Sequence, residues 1–150
     1  MVRYNMLTFS GTHNVLLDAK GRINLPRKFV EILDNRYNNI LMLFKEDNCL
    51  VAYPQSEWLA NEERVLKLSS MKKDVRDFKR LFYSRVEECQ LKHGRILIPP
   101  SLRKYAGLNR EVVLVGVSTT IEIWSKDRWD EFITGNDNNF EELAEKLADM

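Results

Sequence analysis

The chain has 150 residues, of which 44% are apolar and 30% charged, the balance of a soluble globular protein of one domain or two small units sharing a core. Lys and Arg number 23 against 22 Asp and Glu, a formal +1, which speaks against nucleic-acid binding by bulk charge alone. The total hides a division: residues 1–121 carry 20 bases against 13 acids, and residues 122–150 carry three against nine. The apolar runs at Ile40–Phe44 and Val112–Val117 are of strand length, well short of the roughly 20 residues of a membrane span. Met1 to Gly11 lacks the apolar stretch of a secretory signal, and two cysteines make no disulfide framework, so a cytoplasmic setting is expected.

In chain order, His13–Leu17 and Arg22–Leu25 read as a hairpin of two short strands around a turn in which Gly21 takes a positive φ. Pro26 suits the first position of a helix with Phe29, Ile32 and Leu33 on one face. The runs 40–44 and 49–53 form a strand pair. Pro54 opens a helix bearing Trp58, Leu59, Val65 and Leu66. Ser69 or Ser70 is suited to cap the next helix, which runs to about Ser84 with Val75, Phe78, Leu81 and Phe82 as its stripe. The order then recurs: a turn at Gly94, a helix from Pro100 capped by Gly107, and strands at 112–117 and 120–124. After Trp129 and a loop over Thr134–Asn139, a last helix spaces Phe140, Leu143, Ala144 and Leu147 at i, i+3, i+4, i+7.

The recurrence is an internal repeat. With the two Gly-Arg pairs aligned at an offset of 73, Arg22 falls on Arg95, Ile23 on Ile96, Pro26 on Pro99 and Phe29 on Leu102. Phe9 falls on Phe82 upstream, and the run 40–44 on 113–117. A two-residue gap after that strand then brings Leu50–Tyr53 onto Ile121–Trp124 and Trp58 onto Trp129. The expected divisions are repeats over 12–59 and 86–129, a helical linker over 60–85, and a C-terminal amphipathic helix over 134–150.

Catalytic chemistry is poorly provided for. His13 and His93 are far apart, and no Ser/His/Asp ordering, CxxC, HExxH or phosphate-binding Gly-rich loop is present. Cys49 and Cys89 lack zinc spacing and read as buried reduced thiols; the three tryptophans read as core. No enzyme activity, cofactor, metal or small-molecule substrate is expected. Each copy does carry a basic turn: Lys20, Arg22, Arg27 and Lys28 in the first, and Lys92, Arg95, Arg103 and Lys104 in the second. A two-stranded ribbon fits the DNA major groove, where an Arg fork reads guanine and neighbouring bases neutralise phosphates. Asp18, Gly21 and Gly94 are assigned to shaping the turns. The basic run over 64–80 has two readings, a solvated helix face or a contact with phosphate or an acidic partner.

Leu17-Asp18-Ala19-Lys20-Gly21-Arg22 with Pro26, Gly94-Arg95-Ile96-Leu97-Ile98-Pro99 and Arg103-Lys104-Tyr105-Ala106-Gly107-Leu108 resemble the MraZ family. So do Glu111–Gly116, Ile121–Trp124 and the tail Phe140–Leu147. The resemblance implies an α+β fold with a mainly β core and flanking helices. The architecture so implied is a duplicated AbrB-like swapped-hairpin β-barrel, with two repeats in one chain. It also implies a nucleoid-associated regulator, a repressor, of its own division and cell-wall gene cluster. The partners implied are double-stranded DNA at tandem promoter repeats and further copies of the chain in a ring. The family's D-x-x-x-R signature is complete in the first copy as Asp18 and Arg22. In the second, either Leu91 replaces the acid or the turn is one residue shorter. Val30 also stands where the second copy has Arg103. The competing reading is a ring-forming scaffold without DNA function.

Overall fold

A computed structural model describes residues 8–149. The first copy supplies β1 (Thr12–Leu16), β2 (Arg22–Asn24), α1 (Arg27–Arg36), β3 (Ile40–Glu46), β4 (Cys49–Pro54) and α2 (Gln55–Leu66). Helix α3 (Lys73–Ser84) leads to the second copy. That copy comprises β5 (Val86–Gln90), β6 (Arg95–Leu97), α4 (Pro100–Ala106), β7 (Glu111–Val117), β8 (Thr120–Ser125) and α5 (Lys126–Gly135), and α6 (Asn139–Leu147) follows. The order is α+β with an antiparallel sheet at its centre.

The strands pair across copies. One sheet runs β1-β7-β8-β4-β3-β5, and a second joins β2 to β6. Thus β1 of the first copy lies against β7 rather than in the expected hairpin with β2, which pairs with β6, and β5 of the second copy lies against β3. Neither copy can bury its apolar face alone. Alternation puts Leu41 and Leu43 inward from β3, where they meet Leu50, Leu114, Ile121 and Ile123, all fully buried. Phe29, Ile32 and Leu33 of α1 and Leu102 and Ala106 of α4 cover the same core from the helices.

The elements start and stop where local chemistry dictates. Asp47 and Asn48, with φ of 53° and 63°, form the two-residue turn between β3 and β4. Gly107 ends α4 at φ 63°, as its sequence position predicts. Pro26 sits one position earlier than expected, as the N-cap of α1; its repeat equivalent Pro99 caps α4, and only Pro100 occupies a first helical turn. Helix α3 begins at Lys73, so its cap is Lys72 rather than Ser69 or Ser70, and the Ser70 hydroxyl accepts from Lys79 Nζ at 2.9 Å. Helix α5 continues through Gly135, so the loop before α6 is shorter than Thr134–Asn139.

The repeat register also shifts. Strand β3 matches β7 at an offset of 71, so the two-residue difference falls before the strand, where α1 has ten residues and α4 seven. A gap in a helix and its exit loop leaves the strand pairing intact. The Phe9–Phe82 match fails as well. Phe9 is buried beside β7, bridged to Ser118, whereas Phe82 belongs to α3 and stacks on Trp58.

Candidate nucleic-acid interface

One carboxylate organises the first turn. Asp18 Oδ1 accepts the backbone N–H groups of Lys20 at 2.9 Å and Arg22 at 2.8 Å, and Oδ2 accepts from Arg22 Nε at 2.8 Å. Gly21 closes the three-residue loop at φ 87°, its N–H donating to the Asp18 carbonyl at 3.0 Å. The hydrogen bond from the Arg22 backbone N–H, opposed by desolvation and helped by the Arg22 guanidinium and the Lys20 N–H, holds the Asp18 carboxyl below its ordinary range. Arg22 is therefore fixed through both backbone and side chain, and its terminal nitrogens stay free of protein partners among the described residues.

The second turn is tighter. Lys92 and Arg95 exchange backbone hydrogen bonds of 2.9 and 3.0 Å around His93 and Gly94, whose φ values are 53° and 73°. Leu17 N–H donates to the residue before β7, Arg110, at 2.8 Å, and Leu91 N–H to the residue before β3, Asn39, at 2.7 Å. Leu91 therefore matches Leu17, and of the two sequence alternatives the shorter turn is the one present. Lys92 takes the place of Asp18 in the backbone pairing, so a base stands where the first turn has its acid. Arg95 makes no side-chain hydrogen bond or ion pair among the described residues.

The two turns sit at opposite ends of one ribbon. β2 and β6 pair with Arg22 opposite Leu97, Ile23 opposite Ile96 and Asn24 opposite Arg95. Ile23 and Ile96 are each 1% exposed, so alternation turns Arg22, Asn24, Arg95 and Leu97 outward together. Leu25 N–H donates to the Gly94 carbonyl at 2.9 Å, and Ile98 N–H to the Gly21 carbonyl at 2.8 Å. These reciprocal bonds tie each turn to the other copy's strand end. Asn24 and Leu97 were not singled out in the sequence. The signal was there, since both lie one residue beyond an isoleucine whose other neighbour is the arginine.

Arg103 differs from the other predicted bases. Its Nε donates to the Ile98 carbonyl at 2.9 Å, and its guanidinium lies over Gly21, where a Cβ would come within 2.8 Å of Cζ. It braces the first turn from the second copy. The equivalent Val30 packs against the core, and nothing lies within 4 Å of a Cβ built on Gly94. Arg27 and Lys28 stand on the first turn of α1, Arg27 paired with Glu31 at 3.2 Å, and no hydrogen bond or ion pair joins them to the turns. Lys20 and Lys92 are exposed at the turns themselves.

The basic run over 64–80 is engaged locally. Lys73 and Arg80 pair with Asp77 at 2.6 and 2.8 Å, while Arg76 and Lys79 bond carbonyls of the preceding loop. Both cysteines are buried, and burial pushes both thiols up, that of Cys89 to about 12. Trp58 and Trp124 are buried, and Trp129 packs on Trp124. Among the described residues no His/Cys/Asp/Glu group could hold a metal, and no helix is long and apolar enough to cross a membrane.

The sequence matches, at residues 8–81 and again at 82–150, the family described as "MraZ protein, putative antitoxin-like". It is 43% identical over 143 residues to a protein of Desulforamulus reducens, covering 95% of this chain and 99% of that one. It is 43% identical to one of Pelotomaculum thermopropionicum, with 95% and 97% covered, and 44% identical to one of Ligilactobacillus salivarius, with 95% and 98% covered. All three relatives bear the name Transcriptional regulator MraZ. Two matched repeats and relatives spanned almost end to end place this chain in the MraZ family.

Proposed function

We propose that the protein is a transcriptional regulator that binds double-stranded DNA in a sequence-specific way through the β2/β6 ribbon and its turns. The observation that carries this reading is the joint display of Arg22 and Arg95 on one outward face. A two-stranded ribbon fits the major groove, and each guanidinium can make two parallel bonds to a guanine edge. Lys20 and Lys92 at the turns meet phosphates. Arg27 and Lys28 do the same at the start of α1, which has no side-chain cap and no acid in its first turn. Arg103 acts by holding the first turn. The targets are tandem repeats in the promoter of its own division and cell-wall gene cluster, and the protein acts there as a repressor, cytoplasmic and associated with the nucleoid.

The same reading takes the two copies, 12–59 and 86–129, as swapped-hairpin units closing one barrel, with 60–85 as linker and 134–150 as the C-terminal helix. The cross-copy pairings of β1 with β7, β3 with β5 and β2 with β6 support it. It further takes the working form as a ring. Apolar side chains on α3 (Phe78, Leu81) and on α6 (Phe140, Leu143, Leu147) are 44–76% exposed. Residues 64–80 carry seven bases against two acids and residues 122–150 three against nine, so the two helical faces are complementary between neighbouring copies.

The test is a mobility-shift titration of the full chain on DNA upstream of its own gene. Binding should weaken as salt rises, and Arg22→Ala should abolish or severely weaken it while leaving the circular dichroism unchanged. Unchanged affinity of Arg22→Ala would remove the ribbon from the mechanism. Assembly without any duplex binding would favour the scaffold reading.

A further inference from the structure

We infer that Asn24 and Leu97 set the sequence preference of the ribbon, Asn24 by bonding an adenine edge and Leu97 by covering a thymine methyl. The inference rests on the DNA-binding reading above and deepens it. The repeat maps Arg22 onto Arg95 and Asn24 onto Leu97, so the two halves of the outward face share their arginine and differ at one position. Arg22 stands opposite Leu97 and Asn24 opposite Arg95, so each end of the ribbon presents one arginine beside one of the two unlike residues.

The spacing suits base readout. The two cross-strand pairs are two residues apart, about 7 Å along the strands at roughly 3.4 Å per residue. That span is about two base steps of duplex, since bases also rise roughly 3.4 Å per step. Both side chains are available. Asn24 is exposed and makes no hydrogen bond among the described residues, and Leu97 is 54% exposed. Neither position supports the core, which the ribbon reaches through Ile23 and Ile96.

The chemistries are unlike. An amide offers a donor and an acceptor that match the paired groups of adenine in the major groove. Leucine offers neither and gains only by removing an apolar surface from water, which the thymine methyl supplies there. A ribbon whose backbone is nearly two-fold therefore reads a site that is not two-fold in sequence. An exposed leucine beside two arginines is otherwise poorly placed, since more than half of it stays uncovered among the described residues.

The experiment selects bound duplexes from a randomised library with the full-length protein, Asn24→Leu, Leu97→Asn and the double exchange. Asn24→Leu should lose an adenine preference at one position by about tenfold or more. Leu97→Asn should acquire one about two steps away, and the double exchange should invert the order of the two preferences. Affinity for random duplex and the salt slope should stay unchanged, because phosphate contacts are untouched. If all four proteins bind DNA with one identical preference profile, the inference is overturned while the DNA reading stands. If the wild-type protein selects no duplex, the DNA reading fails and takes this inference with it.

Discussion

Replacing Gly21 and Gly94 in turn by alanine measures how unequally the two turns are supported. Both glycines hold positive φ, 87° and 73°, where a Cβ costs about 1–2 kcal/mol. At Gly94 that is the whole effect, because nothing lies within 4 Å of the added carbon. At Gly21 the carbon would stand 2.8 Å from Arg103 Cζ and 3.0 Å from its Nε. The side chain can swing away, so the steric conflict itself is cheap. Swinging away breaks its bond to the Ile98 carbonyl, and a hydrogen bond from a charged donor contributes about 1.5–3 kcal/mol. Arg103 is half-buried, so the lower end applies. Gly21→Ala should therefore be less stable than Gly94→Ala by about 1.5 kcal/mol, or about 3–6 °C in Tm for a chain of this size. Urea titrations and thermal scans at matched protomer concentration read this. In an Arg103→Ala background the two substitutions should become equal. Equality in the wild-type background, within about 0.5 kcal/mol, or a difference that survives Arg103→Ala, would refute the bracing role.

Gly116→Ala would drive a Cβ into the Ser10 backbone nitrogen and to 2.6 Å from the Phe9 carbonyl carbon, lifting the buried Phe9 from the core. A loss of about 2–3 kcal/mol, read as roughly 4–12 °C in Tm, is expected, and a smaller fall than about 2 °C counts against that packing. Because its carboxyl is held below the ordinary value of 3.8, Asp18 stabilises the fold at neutral pH. That contribution is complete above about pH 4 and disappears as pH falls through the lowered value. The stability gap between wild type and Asp18→Asn should thus narrow as pH falls below about 4, and a pH-independent gap contradicts the assignment. Leu81→Asp or Phe140→Asp should each reduce the assembled mass in light scattering with unchanged circular dichroism. Full-size assemblies from both variants would show that the exposed faces of α3 and α6 serve another purpose.

Much of this architecture is legible in the sequence because periodicity and turn chemistry are local. Phe29, Ile32 and Leu33 share a helical face, Gly107 ends its helix, and the Gly-Arg pairs reveal the duplication. Cross-copy pairing is not legible, because β1 carries no mark that says β7 rather than β2. The misplaced gap has the same origin: runs of branched apolar residues at 40–44 and 113–117 align at either offset, and only the strand ladders choose. Arg103 stands among the candidate DNA contacts because charge is visible in a sequence, whereas its proximity to Gly21 is not. Asn24 and Leu97 are not legible for the opposite reason: an uncharged residue in a strand carries no mark of facing outward until its neighbours are known to be buried.

What the copies share and where they differ follow one division. Apart from the outward Arg22 and Arg95, the shared features are internal: the buried Ile23 and Ile96, and the reciprocal bonds to the Gly94 and Gly21 carbonyls. The differences face outward or support the outward face: Asp18 against Lys92, Arg103 against Val30, Asn24 against Leu97. A scaffold made of two copies in one chain permits this, since each turn can change without changing the other. The consequence is one arginine held by a carboxylate partner and one without such a partner among the described residues. Arg22 is already oriented by its 2.8 Å bond to Asp18, whereas Arg95 has no such partner among the described residues and, on the proposed reading, is immobilised only when DNA is bound. Ordering a long side chain costs about 0.5–1.5 kcal/mol, a factor of roughly 2 to 12 in affinity. Removing Arg22 also leaves Asp18 without its cation near phosphate, which adds to the loss. Arg22→Ala should thus weaken binding at least about twofold more than Arg95→Ala at the same salt, by fluorescence anisotropy on a labelled operator. Asp18→Asn should bring the two nearer to equality. An equal or larger loss for Arg95→Ala in the wild-type background would mean that the Asp18–Arg22 pair shapes the turn without preparing its arginine for DNA.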